Sequence, residues 1–273
     1  MAKKEEPVNF GALTAELRKN GPERLYLLWG PEDYLRERFT DAVKAACLPG
    51  GEDDFSYRLI NGPELDVLEV KEAVDSVPFM SERTLVVLRG ADINRIKDQA
   101  ADTLIGVLSD IPDYCTVIFA QDSAYEPDGR LKLVKNIKKL GREIKFTAQG
   151  EDALISWIQK RFAALGKSID YLAARQLIFV SGTLMNRLIP EIDKIAAYAA
   201  GASVSKSDVE AVAHHIPEAR VFDMTDCIAA KNPNGAARIL AELMGDKDNP
   251  PIMLLAAIGR QMRNLYTAKL AAD

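Results

Sequence analysis

Three short runs in the first half of the chain are apolar at nearly every residue: Leu25-Tyr26-Leu27-Leu28-Trp29, Thr84-Leu85-Val86-Val87-Leu88, and Cys115 to Ala120. A strand with one face in water alternates apolar and polar residues. These do not, so both of their faces must be covered. Stretches with helical spacing lie between them: about Leu35 to Ala46, Leu65-Leu68-Val74, Leu104-Ile105-Leu108, and Leu131-Val134-Ile137-Leu140. Phe55 to Ile60, closed by Asn61-Gly62, and Glu143 to Phe146 read as two further strands. Phe10, Leu13 and Leu17 mark a helix ahead of the first strand, stopped by Gly21-Pro22. Doubly buried strands separated by helices predict a parallel sheet with helices on both faces.

After Ala148-Gln149-Gly150 the strand signals fade. Leu154, Ile158, Phe162 and Leu165 repeat at helical spacing up to Gly166. Tyr171 to Phe179 follows, then Leu184, Leu188, Ile192, Ile195 and Ala199 up to Gly201. Ser205-Lys206-Ser207-Asp208 is a capping box opening a helix over Val209 to His214. Ile216-Pro217 breaks the chain, and three more helical patterns cover about 221–230, 236–244 and 252–270. The predicted organisation is an α/β domain over 1–147, a small helical domain over 148–214 and a further all-α segment over 215–273. The last helix meets no terminating Gly or Pro, which predicts a chain cut inside a larger helical domain.

Composition narrows the function. The chain has 273 residues, 48% hydrophobic and 27% charged, as globular proteins do. Its 35 basic and 40 acidic residues give a net charge of −5, which argues against a generally basic nucleic-acid binder. Cys47, Cys115 and Cys227 form no CxxC motif and read as reduced thiols. His214 and His215 are adjacent, so on a helix they point about 100° apart and cannot chelate one metal together. No metal site and no catalytic triad is expected. The charged N-terminus has no apolar signal region, and no run of about 18 apolar residues occurs, so a cytoplasmic location is expected.

Gly30 follows the first buried strand and precedes a helix, the context of a phosphate-binding GxxxxGK[ST] loop. In that register Leu35 stands at the second Gly, Arg36 at the Lys, and Glu37 at the Mg²⁺-binding hydroxyl. A left-handed Leu35 costs about 1–2 kcal/mol. Arg36 lacks the compact ammonium, and Glu32, Asp33 and Glu37 repel a phosphate at the helix start. The strand ending at Leu88 runs into Arg89-Gly90 with no acidic pair for Mg²⁺. The loop reads as a plain strand-to-helix turn in a P-loop architecture without its chemistry, and no cofactor is expected.

Leu25-Tyr26-Leu27-Leu28-Trp29-Gly30-Pro31-Glu32-Asp33-Tyr34-Leu35 and Ser76-Val77-Pro78-Phe79-Met80-Ser81-Glu82-Arg83-Thr84 resemble the bacterial DNA polymerase III delta subunit family. Leu188 to Ile195 resembles a helix of its second domain, and Arg260-Gln261-Met262-Arg263 a motif of its third. The resemblance implies an AAA+-type α/β domain, a helical lid and part of a helical collar. It implies a clamp-loader subunit without ATPase activity that binds and opens the β sliding clamp during DNA replication. The implied partners are the tau/gamma ATPase subunits and delta-prime in a pentamer, with primer–template DNA reached through the complex and no membrane. It implies a place at the replication fork, as a subunit of a polymerase holoenzyme whose nucleotidyltransferase lies elsewhere.

The resemblance places the clamp-binding residues at Val77, Pro78, Phe79 and Met80, with Pro78 departing from the Leu common in some members. From the residues alone, Phe79 and Met80 either plug the end of the sheet core or form an exposed anchor. The resemblance favours the anchor for Phe79 and leaves Met80 undecided. Lys132, Lys135, Lys139 and Arg142 step by three, four and three along one predicted helix. They read as a solvated face or as a DNA-phosphate contact. The rival functions are a divergent P-loop NTPase and a non-catalytic scaffold.

Overall fold

Five strands build one parallel sheet: β1 (Leu25–Trp29), β2 (Tyr57–Asn61), β3 (Thr84–Arg89), β4 (Cys115–Ala120) and β5 (Arg142–Lys145), in the order β2-β3-β4-β1-β5. The computed structural model describes residues 7–50, 56–79, 81–245 and 250–272. They divide into two units, Met1–Gly150 with Leu184–Asn186, and Glu151–Thr183 with Arg187–Asp273.

In the first unit the sheet alternates with α1 (Phe10–Asn20), α2 (Asp33–Cys47), α3 (Val67–Asp75), α4 (Asp98–Ser109) and α5 (Lys132–Leu140). Successive strand residues point to opposite faces. Leu25, Leu27, Val86, Leu88, Val117 and Phe119 bury one face against Val70 and Val74 of α3, Leu104 and Leu108 of α4, and Val134 and Ile137 of α5. On the other face the Tyr26 ring meets Phe39 of α2 edge-on at 5.6 Å, and Phe39 meets Phe146 at 6.0 Å. Both faces are dry, as the unbroken apolar runs require, and each buried Leu or Phe contributes about 1.5–3 kcal/mol. Because α2 leaves β1 on one face and α5 crosses on the other, the turn after β1 lies at the sheet's topological switch point.

Three local readings change. The strand expected over Phe55 to Ile60 spans Tyr57–Asn61, with Phe55 outside the described residues. Leu68, placed in the apolar stripe of its helix, is exposed because it sits in the first turn, two residues past the Asp66 cap that accepts its N–H. Arg142 belongs to β5, not to the preceding helix, because Gly141 ends α5.

The second unit holds α6 (Glu151–Ala164), α7 (Tyr171–Ser181), most of α8 (Met185–Tyr198), α9 (Lys206–Val212), α10 (Pro217–Ala229), α11 (Pro233–Gly245) and α12 (Pro251–Ala272). Ser205 caps α9 by accepting the Asp208 N–H at 3.2 Å, and Asp208 returns the bond to the Ser205 N–H at 2.8 Å. The box therefore opens the helix at Lys206, three residues before the expected Val209. Pro217 starts α10 instead of only breaking the chain, because its missing N–H has no partner to lose in a first turn. A two-residue parallel pair, β6 (Ser168–Ile169) with β7 (Ser203–Val204), went unforeseen; it is too short for a period to show. Val221 and Met224 of α10, Ile239 and Leu243 of α11 and Leu254 of α12 form a core of their own.

Candidate functional site

The turn after β1 is the first place to look for chemistry. Gly30 has φ of +111°, and a Cβ on it would stand 2.4 Å from the Phe146 carbonyl oxygen, so only glycine fits. Helix α2 begins at Asp33, which leaves Gly30-Pro31-Glu32 as the whole turn. The turn's N–H groups are used internally: Glu32 donates to Phe146 O at 3.1 Å and Asp33 to Pro31 O at 3.2 Å. Leu35 is helical and buried in the core, so the left-handed strain expected there does not arise. Arg36 is buried, donates from Nη1 to the Gly30 carbonyl at 2.7 Å and pairs with the Asp33 carboxylate. Glu37 points to solvent. Leu35, Arg36 and Glu37 thus sit in the first turns of α2, and the cation at this register is committed to the protein's own oxygens.

Glu32 is the unusual group here. It is fully buried. Its Oε2 accepts the N–H of Met185, one of the three residues that cluster with the first unit, at 3.2 Å, and its Oε1 has no partner among the described residues. Burial raises its carboxyl from the ordinary value of 4.5 to about 7, against the lowering effect of the Met185 and Tyr34 N–H groups.

The second place is the turn between α3 and β3. Val77 is 73% exposed and Phe79 63% exposed, while Pro78 is half-buried. Phe79 therefore does not plug the sheet core; Met80 lies outside the described residues. The backbone beneath Phe79 is fixed. Ser56, buried just ahead of β2, accepts the Phe79 N–H on its Oγ at 3.1 Å. Ser81 Oγ stands 2.7 Å from the same oxygen and donates to Arg83 O at 2.8 Å. The Ser56 carbonyl accepts the Leu85 N–H at 2.9 Å, which ties the same residue to β3. An aromatic ring held in water on a fixed backbone can enter an apolar pocket with little ordering cost. Sequence reading missed Ser56, since a serine before an edge strand carries no distinguishing signal.

The basic quartet does not form one face. Lys132 Nζ bonds Asp102 of α4 at 2.6 Å, and Arg142, on β5, bonds Glu16 of α1 at 2.8 Å. Lys135 and Lys139 remain on the exposed side of α5. Cys47 and Cys115 are buried, and burial pushes both thiols up; Cys227 is half-buried. Among the described residues, no group of three His, Cys, Asp or Glu side chains could hold a metal, and no helix is long and apolar enough to cross a membrane. The apolar stripe of α12 faces solvent in part: Leu255 is 65% and Tyr266 66% exposed.

This chain matches two family models, "DNA polymerase III, delta subunit" over residues 26–147 and "DNA polymerase III delta subunit, C-terminal domain" over 218–273. It is 20% identical over 263 residues to the DNA polymerase III subunit delta of Bacillus subtilis, covering 94% of this chain and 76% of that protein. It is 22% identical over 255 residues to the probable subunit delta of Aquifex aeolicus, covering 90% and 71%. Among solved structures it is similar to the Bacillus subtilis DNA clamp loader delta protein, with a TM-score of 0.56 at 19% identity over 96% of this chain and 80% of that one. It is also similar to the Thermotoga maritima Holliday junction branch migration motor RuvB, with a TM-score of 0.55 at 12% identity over 81% and 74%. The structural likenesses show an AAA+-like fold, in line with the β2-β3-β4-β1-β5 order. With its sheet unit and its C-terminal helices matched by two models of one family, this chain belongs to the DNA polymerase III delta subunit family.

Proposed function

We propose that this chain is the clamp-loader subunit that captures a β sliding clamp through the Val77-Pro78-Phe79 turn and helps to open it. The observation that carries this reading is the 63% exposed Phe79 ring on a turn tied to Ser56. A soluble surface gains nothing from a fixed aromatic in water; a partner pocket that receives it gains about 1.5–3 kcal/mol. Capture opens a ring only as far as the turn binds the open state better than the closed one.

Work from ATP then comes from partner tau/gamma subunits, with delta-prime completing a pentamer. The three-residue turn and the committed Arg36 support a chain that hydrolyses no nucleotide itself. The separate core of α10, α11 and α12 supports reading the second unit as a lid to about residue 214 and a collar beyond it. Exposed Leu255 and Tyr266 give that collar an apolar surface for neighbouring helices. Any DNA contact from α5 rests on Lys135 and Lys139.

A clamp titration paired with a urea melt of Phe79→Ala tests the reading. Clamp affinity is expected to fall at least about tenfold with the melt midpoint unchanged. Unchanged affinity, or a midpoint drop matching about 3–5 kcal/mol of lost core packing, overturns it.

A further inference from the structure

Among the described residues between Asp75 and Thr84 the clamp-docking turn has no helix or strand of its own, yet its backbone is bonded at Phe79. The partner in that bond is a side chain 23 residues away in sequence. Ser56 is only 4% exposed, and its Oγ lies within hydrogen-bond distance of Phe79 N at 3.1 Å, of Phe79 O at 3.4 Å and of Ser81 Oγ at 2.7 Å. One hydroxyl thus touches both polar backbone atoms of the anchor residue and the side chain two residues beyond it. Its own main chain is locked to β3 through the Leu85 N–H.

We infer that Ser56 is a positioning residue for clamp capture: its hydroxyl sets the backbone of the turn so that the Phe79 ring stands outward before any clamp arrives. The inference rests on the clamp-docking reading and adds to it the group that prepares the anchor.

The physical reasoning is one of entropy and alternatives. An eight-residue connection between helix and strand that is free to move samples conformers in which an apolar ring folds back on the protein. Each such conformer must be undone before docking, and the apparent affinity drops by the fraction that is competent. The Ser56 bonds remove those conformers in advance. Alanine in place of Ser56 leaves the Phe79 N–H without this acceptor and Ser81 without its neighbour, while the ring itself is untouched. A hydrogen bond of this kind is worth about three- to tenfold in an equilibrium.

Two readouts separate positioning from simple structural support. In the isolated chain, amide hydrogen exchange at Phe79 is expected to rise about three- to tenfold in Ser56→Ala, with exchange in β1 and β4 unchanged. In titrations with the cognate β clamp, Ser56→Ala is expected to weaken binding about three- to tenfold in the parent background. It should have almost no effect in the Phe79→Ala background, where no ring remains to be positioned. Ser56→Thr, which keeps the hydroxyl, should bind as the parent does. Ser81→Ala, at a half-buried site, supplies a second variant if Ser56→Ala destabilises the sheet, and it should show the same dependence on Phe79 with a smaller loss. An equal loss in both backgrounds, or unchanged Phe79 exchange, overturns the inference. Clamp binding that Phe79→Ala weakens and both serine variants leave intact overturns it while sparing the docking reading. Absence of clamp binding by the parent chain overturns the docking reading and the inference together.

Discussion

Arg36 donates to the carbonyl of Gly30 at 2.7 Å, across the first turn of α2 and the end of β1. In a phosphate-binding loop the cation at that register faces outward to a ligand. Here it closes on the loop's own backbone and on Asp33. The residue at the place of the catalytic lysine has become a structural fastener.

Arg36→Ala should therefore change stability and not nucleotide affinity. Removing the guanidinium leaves the Gly30 carbonyl without its donor and the half-buried Asp33 carboxylate without its cation. A loss of about 1–3 kcal/mol is expected from the urea midpoint. Equilibrium dialysis with Mg²⁺-ATP should find no micromolar binding by the parent or by the variant. Turnover in the parent that disappears in Arg36→Ala would show that the arginine serves a nucleotide after all.

Gly30→Ala should be more damaging than its size suggests. The added Cβ meets Phe146 O at 2.4 Å in a backbone region that side chains avoid. Strain of about 1–3 kcal/mol is expected from the φ angle alone, with the collision added to it. The check is the same urea melt, and a midpoint within error of the parent would contradict the turn geometry.

Glu32 makes stability depend on pH. Its folded value of about 7 lies above its ordinary 4.5, so the folded chain holds the proton more tightly than the unfolded one. Stability contributed by this proton is present below about pH 4.5 and is lost as pH rises toward 7. Glu32→Gln should remove that slope and raise stability at pH 8 by about 1–3 kcal/mol. Melts at pH 5 and pH 8 decide it: an unchanged difference between the two values in the variant would assign the slope elsewhere.

The α12 surface should matter for assembly alone. Leu255→Glu and Tyr266→Glu place charges where the side chains are 65% and 66% exposed. Melting should move by less than about 0.5 kcal/mol. Association with partner clamp-loader ATPase subunits, followed by sedimentation, should weaken at least about tenfold if this stripe is covered by neighbouring helices.

Much of the fold was legible along the chain. Leu25 to Trp29, Thr84 to Leu88 and Cys115 to Ala120 announce doubly covered strands, because a residue run with no polar member can be buried only on both faces. Ser205 and Asp208 mark a helix start, since both bonds of the box are local. Gly30 and the Leu35-Arg36-Glu37 substitutions already spoke against a phosphate loop, and the Phe79 block already resembled a clamp-loader family. These signals depend on neighbours a few residues apart, so sequence alone determines them.

What the tertiary structure decided depends on pairs that sequence spacing does not relate. Nothing local tells whether Phe79 turns into the sheet core or into water; in the packed structure its ring is 63% exposed and its N–H is held by Ser56, 23 residues away. The even steps from Lys132 to Arg142 suggested one charged face, but Gly141 ends the helix and Asp102 and Glu16 take up two of the cations. Glu32 read as an acid at a helix start that repels a phosphate; in the packed structure it is buried, and burial raises its carboxyl to about 7 against the lowering effect of the Met185 N–H. Periodicity fixes which face of an element is apolar. Which charge meets which partner, and which ring stays in water, is set only when distant segments pack and exclude solvent between them.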